Sequence, residues 1–286
     1  MFVTLLILAA VLSLLVFVHE FGHFITAKRA GIGVEEFGFG FPPRAVSVKR
    51  GGTIYSINWI PLGGFVKIKG ESGEAKGDPD SFSAKSIAVR ALVLSAGVLM
   101  NVALCWFLLS FGYVIGLPQV AEDLSPSARV AAPKVQIVDV LKDSPAARAG
   151  LEAGDTIVSI DGAAVTEAEQ VRTAAAARMG GSFDVTLDRA GARLEKTLSP
   201  QIIVESGKPG IGIALMKTGL VSYPWYLAPA EGLHATWAIG TQIVAAFGGV
   251  FHDLFLGKKI ETEFSGPVGI AFLTADVARL GFRHVL

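Results

Sequence analysis

Cysteine and net charge are the two things this chain has least of. Cys105 is the only cysteine, so no disulfide can form within the chain. Lys and Arg together number 25, as do Asp and Glu, so no basic field predicts nucleic-acid binding. Charged residues make up 17% of the 286 residues and hydrophobic residues 51%. Such a composition is too apolar for an ordinary soluble enzyme and predicts a membrane protein with a soluble insert.

Two apolar segments are long enough to cross a bilayer, which needs about 20 residues. They predict a first transmembrane helix within residues 1–30 and a second over residues 91–117. The loop between them, residues 31–90, carries an excess of Lys and Arg and therefore faces the cytoplasm by the positive-inside rule. The N-terminus is then expected outside.

The first apolar segment contains an H-E-x-x-H motif, His19-Glu20-Phe21-Gly22-His23. On a helix, residues i and i+4 lie on one face, so His19 and His23 can offer ring nitrogens to one Zn²⁺ ion while Glu20 reaches a metal-bound water. Ionisable side chains inside a membrane span are costly and are functional by default. The motif predicts metal-assisted peptide hydrolysis near the cytoplasmic end of the first helix.

A membrane-associated β-hairpin is predicted within residues 31–90. Strands at 45–49 and 53–59 flank a turn at Arg50-Gly51-Gly52, and the segment is rich in aromatic residues. Such a strand could pair with an unwound substrate by edge addition. The alternative is a small cytoplasmic hairpin without a role.

Residues 118–204 change in character, with charges of both signs and frequent turn signals. The residues predict strands at 135–141, 156–160, 183–187 and 194–198, a short helix capped by Ser144, and a helix capped by Thr166 that runs through Arg178. The order of Ser144-Pro145, Gly154-Asp155 and Asp161-Gly162 resembles a bacterial PDZ domain. That resemblance implies binding of a peptide or protein ligand, whereas the plainer interpretation is a structural spacer.

Residues 205–286 are predicted to form a linker with interfacial or broken helices that lead to further spans. The segment 220–256 is apolar but interrupted by two prolines and by polar residues at 231, 234 and 253. A full third span is therefore not favoured.

Five segments in order resemble the site-2 proteases of the regulator-of-sigma-E type. They are the H-E-x-x-H motif, Pro61-Leu62-Gly63-Gly64-Phe65-Val66-Lys67, the second span with Gly97 and Asn101, the PDZ-like segment, and Ser265-Gly266-Pro267-Val268-Gly269-Ile270. The resemblance implies an α-helical membrane protein with an inserted soluble PDZ domain, a β-rich α+β unit, and a membrane-associated β-hairpin.

The resemblance also implies a function: a zinc metalloendopeptidase of the bacterial inner membrane that cleaves single-span membrane proteins in regulated intramembrane proteolysis. By position, His19 and His23 are metal ligands, Glu20 is the catalytic base, and the PDZ domain is extracytoplasmic. Asn101, Gly63, Gly64 and Phe65 are candidate substrate-binding residues. Asn101 is open to a second interpretation, an interhelical hydrogen bond beside Gly97.

The third metal ligand of these proteases is an aspartate on a later span. No suitable aspartate is recognised up to Leu286, so the third ligand is expected from an Asp beyond Leu286 and the chain is expected to be an N-terminal portion of a longer enzyme. The alternative function is a catalytically inactive membrane scaffold, or pseudoprotease, that presents a PDZ domain.

Overall fold

The computed structural model describes residues 2–75, 77–121, 124–189, 191–203 and 208–256. The chain divides into two compact units. The helical unit comprises the described residues up to Ser110 and those from Pro229 onward, and the sheet unit comprises Phe111–Ala228. The motif Ser265-Gly266-Pro267-Val268-Gly269-Ile270 lies outside the described residues.

Among the described residues, three long helices are apolar enough to cross a membrane by length and composition. They are α1 (Phe2–Arg29), α2 (Ile87–Ile115) and α5 (Ala228–Phe255). The first two agree with the predicted segments, although α2 begins four residues earlier than the predicted residue 91. Leu94, Val98 and Phe107 of α2 are 56–62% exposed in the protein alone, as expected of side chains that face lipid.

The prediction of a broken helix over residues 220–256 is wrong for the described part. The first residues of this segment belong to strand β11 (Ile213–Ser222). Helix α5 then runs without interruption from Ala228. Pro224 precedes the helix, and Pro229 lies in its first turn, where the missing backbone N–H costs no helical hydrogen bond. The two prolines therefore mark the start of the helix and do not interrupt it.

The predicted hairpin is present but larger. Strands β1 (Val34–Arg50) and β2 (Thr53–Ile68) meet at Gly51-Gly52, whose positive φ angles of 56° and 82° suit glycine. Each strand bends back, so that Phe37 lies opposite both Tyr55 and Val66. The result is a small mixed sheet in which residues 34–41 run parallel to residues 53–60 on one side and antiparallel to residues 64–68 on the other.

Helix α1 packs along this hairpin sheet. Phe24 stacks on Phe37 with ring centroids 4.7 Å apart, and Phe17 contacts the same ring at 5.5 Å. The buried core of the helical unit includes residues from the end of α1, from α2 and from a 3-10 turn at Phe82–Ala84. Its buried residues are Ala27, Ile32, Val34, Ile68, Phe82 and Val93. This packing fixes the face of α1 that carries Glu20 against the sheet.

The sheet unit contains a seven-stranded sheet. Its strand order is β3 (Leu117–Val120), β11, β4 (Arg129–Val140), β5 (Thr156–Ile160), β7 (Phe183–Arg189) and β8 (Ala192–Leu198), with β6 (Ala163–Ala164) paired to β5. Helices α3 (Pro145–Arg148) and α4 (Ala168–Ala177) and a two-stranded sheet of β9 (Gln201–Ile203) and β10 (Lys208–Gly210) complete the described part.

Several local predictions for this unit are confirmed and two are corrected. Strand β5 has the predicted bounds, and Ser144 Oγ accepts from the backbone N–H of Ala147 as a helix cap. The cap of α4 is Glu167 and not Thr166, because the Gln170 side chain accepts from both backbone N–H groups and starts the helix one residue later. The sheet also extends past residue 204, since β11 pairs with both β3 and β4.

Candidate metal centre

The two histidines of the motif converge. His19 Nε2 and His23 Nε2 are 3.1 Å apart, and the rings meet edge to face with centroids 4.8 Å apart. Two imidazole nitrogens bound to one tetrahedral Zn²⁺ at about 2.0–2.1 Å would be about 3.3 Å apart. The pair is therefore spaced as two ligands of a single ion.

A backbone carbonyl on α2 sets the tautomer of His23. Its Nδ1 lies 2.7 Å from the carbonyl oxygen of Val93, an acceptor only, so Nδ1 carries the proton. The lone pair of the neutral ring is then on Nε2, the nitrogen that faces His19. A carbonyl behind a metal-binding imidazole orients the ring and raises its basicity.

Gly97 of α2 lies directly against both rings. A Cβ placed at this position would come within 2.5 Å of His23 Nε2 and 2.6 Å of His19 Nε2. Any larger residue would occupy the space in front of the two nitrogens. Gly22, between the histidines on α1, is similarly close to the backbone of Ala96, so the two helices meet backbone to backbone at the level of the motif.

Glu20 is held by the hairpin sheet. Its Oε2 accepts a hydrogen bond from the backbone N–H of Val66 at 3.1 Å. Residues 64–68 form an edge of the sheet, paired with residues 34–39 on one side only among the described strands. The carboxylate adjacent to the histidines is thus fixed by a backbone group that the sequence motif does not reveal.

The predicted substrate-binding residues of the hairpin have different positions. Gly63 and Gly64 are buried against α1, where a Cβ at residue 63 would lie 2.7 Å from a methyl group of Val16. The ring of Phe65 lies over Gly38 of the neighbouring strand. The two glycines therefore allow the edge strand to approach α1 closely, and a role for the three residues in binding substrate stays a prediction.

Asn101 is on the same stripe of α2 as Val93 and Gly97, since the three residues are spaced by four. Its Oδ1 is buried and has no hydrogen-bond partner in the described part of the chain. The predicted interhelical hydrogen bond is therefore not formed by this oxygen.

The described side chains provide some, but not all, of the ligands that a zinc ion needs. Within residues 2–75, 77–121, 124–189, 191–203 and 208–256, no group of three His, Cys, Asp or Glu side chains is placed to hold a metal. Two converging imidazoles, with a glycine that leaves their nitrogens clear, nevertheless suit two positions of a tetrahedral zinc site. An aspartate beyond Leu286 as the third ligand stays a prediction.

The sheet unit has a separate cavity of about 350 Å³. It lies between α4 and the start of β11, and its walls include Leu141, Val171, Arg172, Ala175, Ile203 and Ile213. The backbone of β11 pairs with β4 from Ile213 onward, whereas its pairing with β3 begins only at Thr218. One side of the strand is thus unpaired beside the cavity within the described residues, as an added peptide strand would require.

Comparison with solved structures matches the chain over short segments in the following cases. A PDZ domain of an SdrC-like protein from Listeria monocytogenes is 28% identical, covers 30% of this chain and 92% of its own, and has a TM-score of 0.28. A solution structure from Geobacillus thermodenitrificans is 30% identical over 28% of this chain and 94% of its own, with a TM-score of 0.25.

Comparison of sequences extends over almost the whole chain. A candidate zinc metalloprotease of Clostridium perfringens is 34% identical over 276 residues, covering 96% of this chain and 76% of the relative. Similar proteins from Clostridium acetobutylicum and Helicobacter pylori are 30% and 31% identical, covering 100% and 91% of this chain and 78% and 73% of the relatives. The pattern that defines Peptidase family M50 matches residues 7–286. The chain belongs to Peptidase family M50, the site-2 protease family of zinc metalloproteases.

Proposed function

We propose that this protein is an intramembrane zinc metalloendopeptidase that cleaves the membrane-spanning segments of other proteins in regulated intramembrane proteolysis. The observation that carries the proposal is the His19–His23 pair, whose Nε2 atoms converge to 3.1 Å on a helix long and apolar enough to span a bilayer. Polar groups at such a depth are expensive unless they serve a reaction or a bound ion.

The residues divide the chemistry between them. His19 and His23 hold Zn²⁺ through Nε2, and the third ligand is an aspartate beyond Leu286. When bound, zinc lowers the pKa of a coordinated water and polarises the scissile carbonyl. Glu20 takes the proton of the attacking water and delivers it to the leaving amine. The N–H of Val66 holds Oε2, and the other carboxylate oxygen, Oε1, is the proposed proton acceptor.

The substrate is a single-span protein whose helix is locally unwound at the scissile bond. The edge at residues 64–68 lies beside Glu20 and offers backbone groups to an extended chain. The apolar surface of the hairpin sheet, with Val46, Val48 and Trp59 exposed at 59–72%, suits insertion beside α1 in the bilayer. The enzyme is then a multi-pass protein of the bacterial inner membrane, with H-E-x-x-H toward the cytoplasm.

The sheet unit is proposed to be an extracytoplasmic PDZ domain that binds a peptide or protein ligand. Its order of elements follows the predicted one, and the cavity beside β11 and α4 provides room for an extended peptide. In this arrangement the domain selects which membrane proteins reach the catalytic unit.

The test is a comparison of wild-type protein with Glu20→Gln in vesicles that contain candidate single-span substrates. We expect the variant to insert and to bind zinc as wild type does, with cleavage lowered by at least about a hundredfold because the proton acceptor is lost. Undiminished cleavage by the Glu20→Gln protein would contradict the proposal. A cellular phenotype that survives the substitution would instead support a membrane scaffold.

A further inference from the structure

The pairing of the hairpin strands places two rows of apolar side chains on one face of the sheet. Residues paired across neighbouring strands share a face, and residues i and i+2 of one strand do so as well. The first row consists of Phe37, Tyr55 and Val48, and the second of Phe39, Ile57 and Val46. The two rows therefore form a continuous apolar surface that reaches the outer strand of the sheet, residues 46–50.

Helix α1 covers only the inner end of this face. Its Phe24 and Phe17 lie against the first residue of each row, with ring centroids 4.7 and 5.7 Å apart. At the outer end, Val48 and Val46 are 63% and 59% exposed. Between Phe17 and the outer strand lies a cavity of about 300 Å³. That volume is at the lower end of the range of ligand sites, about 300–1,000 Å³.

Two cations lie at one end of the same face. Arg50 follows Val48 by two residues, so it is on the same face about 7 Å further along the strand. It is paired with Thr53, whose Oγ1 accepts a hydrogen bond from the Lys28 ammonium at 3.2 Å. The end of α1 and the hairpin turn thus bring two positive charges to the edge of the apolar surface.

No described carboxylate neutralises these two cations. The ion pairs of the hairpin join Arg44 to Glu36 and Lys67 to Glu35, so both acidic side chains of the first strand are already engaged. Arg50 is exposed and forms no ion pair with any described residue. An anion that approached this edge would meet two available cations.

The order of these groups along α1 matches that of a phospholipid in a bilayer. Lys28 lies at the end of the apolar span, where lipid phosphates are located. Phe17 lies about 16 Å from it along the helix axis, toward the middle of the span. The apolar cavity is therefore at the depth of acyl chains, and the cations are at the depth of headgroups.

We propose that this face of the hairpin sheet binds an anionic phospholipid, with an acyl chain in the cavity beside Phe17 and the phosphate bound by Lys28 and Arg50. The inference rests on the membrane insertion that the proposed function requires. The bound lipid completes the packing of the hairpin on α1, two residues before the candidate ligand His19.

The test measures lipid binding to the protein in micelles of a neutral detergent by native mass spectrometry. The probe is dioleoylphosphatidylglycerol, and the comparison is dioleoylphosphatidylcholine, which has the same acyl chains and no net charge. Glycerol phosphate provides a phosphate without acyl chains. The variants are Arg50→Gln and Lys28→Gln. The matched control is Lys49→Gln, which removes the same charge from an exposed neighbour that alternation places on the opposite face.

We expect wild type to bind the anionic lipid at least about tenfold more tightly than the zwitterionic one, because two cations pair with its charge. Arg50→Gln and Lys28→Gln should each weaken binding of the anionic lipid about fivefold. Lys49→Gln should weaken it by less than about twofold. Glycerol phosphate at about a hundredfold excess should not displace the lipid, because burial of the acyl chain contributes most of the affinity.

Equal affinity for the two lipids, or an equal loss in Lys49→Gln and Arg50→Gln, would overturn the inference in favour of nonspecific attraction. Displacement by glycerol phosphate would identify a site for free anions, and displacement by an equimolar single-span substrate would assign the face to the substrate. Either result refutes a lipid site.

Two parallel measurements separate this inference from the proposed function. They are retention of the protein in vesicles after alkaline extraction and cleavage by wild type and Glu20→Gln. Release by alkali, or cleavage that does not depend on Glu20, would refute the proposed function. A retained protein with normal dependence on Glu20 and no preference for the anionic lipid would refute only the present inference.

Discussion

The two units of the molecule both have apolar cores, but they differ in what lies beside the core. In the sheet unit the interior is apolar, with Ile137 and Leu187 fully buried and Ile157 nearly so. In the helical unit Leu94, Val98 and Phe107 of α2 are exposed, and α2 meets α1 at Gly97, which lies against the two imidazoles of α1. Apolar burial therefore holds the sheet unit together, whereas the helical unit adds to a smaller apolar core a close backbone contact between α1 and α2 beside two imidazoles.

The strongest test of this difference between the units is to replace one leucine with alanine in each of them. Leu187→Ala removes a fully buried side chain from the sheet unit and should cost about 3–4 kcal/mol of the free energy of unfolding. Leu94→Ala removes a side chain that is 56% exposed on α2 and should cost less than about 1 kcal/mol. Hydrogen exchange of the full chain, followed separately in β7 and α2, measures both. Equal losses would contradict the proposed difference.

Gly97→Ala should have the next largest effect, and it should act on the metal. The added Cβ would lie within 2.6 Å of Nε2 of both His19 and His23, so the imidazoles must turn away. Zinc affinity should fall at least about a hundredfold, with activity falling in parallel. Gly240→Ala on α5 is the control, since a Cβ there meets nothing within 4 Å. Normal zinc content in the Gly97→Ala protein would refute the ligand assignment.

A buried ion pair of the sheet unit should show a smaller, pH-dependent effect. Asp155 is 1% exposed and accepts two hydrogen bonds from Arg189, at 2.7 and 2.8 Å, and one from the N–H of Glu152. Burial alone would raise the pKa of Asp155, but the hydrogen bonds from Arg189 and Glu152 hold this pKa below its ordinary value. Asp155→Asn should therefore destabilise the sheet unit by about 2 kcal/mol at pH 7.

The direction of the pH dependence follows from the lowered pKa. The stabilisation is complete above the ordinary pKa of an aspartate, about 4, and is lost as the pH falls through the lower pKa of the folded state. Wild type and Asp155→Asn should therefore converge in stability as the pH falls below about 4. Thermal unfolding between pH 2 and about 7 tests this, and a constant difference would contradict it.

The smallest effect is expected for an ion pair on the hairpin. Lys67 and Glu35 are 2.7 Å apart, but their side chains are 69% and 49% exposed. Lys67→Ala should leave the thermal midpoint unchanged within error, because solvent screens the pair. Thermal unfolding in low and high salt is the measurement. A loss comparable to that of Asp155→Asn would remove the contrast between the two pairs.

Local signals in the sequence predict local structure well. The two glycines after Arg50 require a turn, Ser144 before Pro145 requires a helix cap, and residues 156–160 are bounded by turns on both sides. The sequence does not reveal that β1 and β2 fold back into a wider sheet, or that β11 returns to pair with β3, because both depend on pairing over long separations. From the sequence alone, the two prolines near α5 predict an interrupted helix. The structure shows that they lie at the start of the helix and not within it.

The candidate site likewise has one part that the sequence predicts and another that it does not. The spacing of His19, Glu20 and His23 predicts which side chains converge, because helical periodicity is a local property. The two groups that orient them are the carbonyl of Val93 and the N–H of Val66, and every amino acid except proline provides both. The residue types at positions 93 and 66 therefore do not indicate these two contacts.

The bond from Val66 to Glu20 has a consequence for how this protein can vary over evolution. Because the donor is a backbone N–H, exchanging the side chain at position 66 for leucine, threonine or phenylalanine leaves the contact in place, and only proline removes it. The residue that holds the Glu20 carboxylate is thus free to vary in a lineage while the contact is retained. Its importance would appear in a set of related sequences as the absence of one amino acid and not as the presence of another.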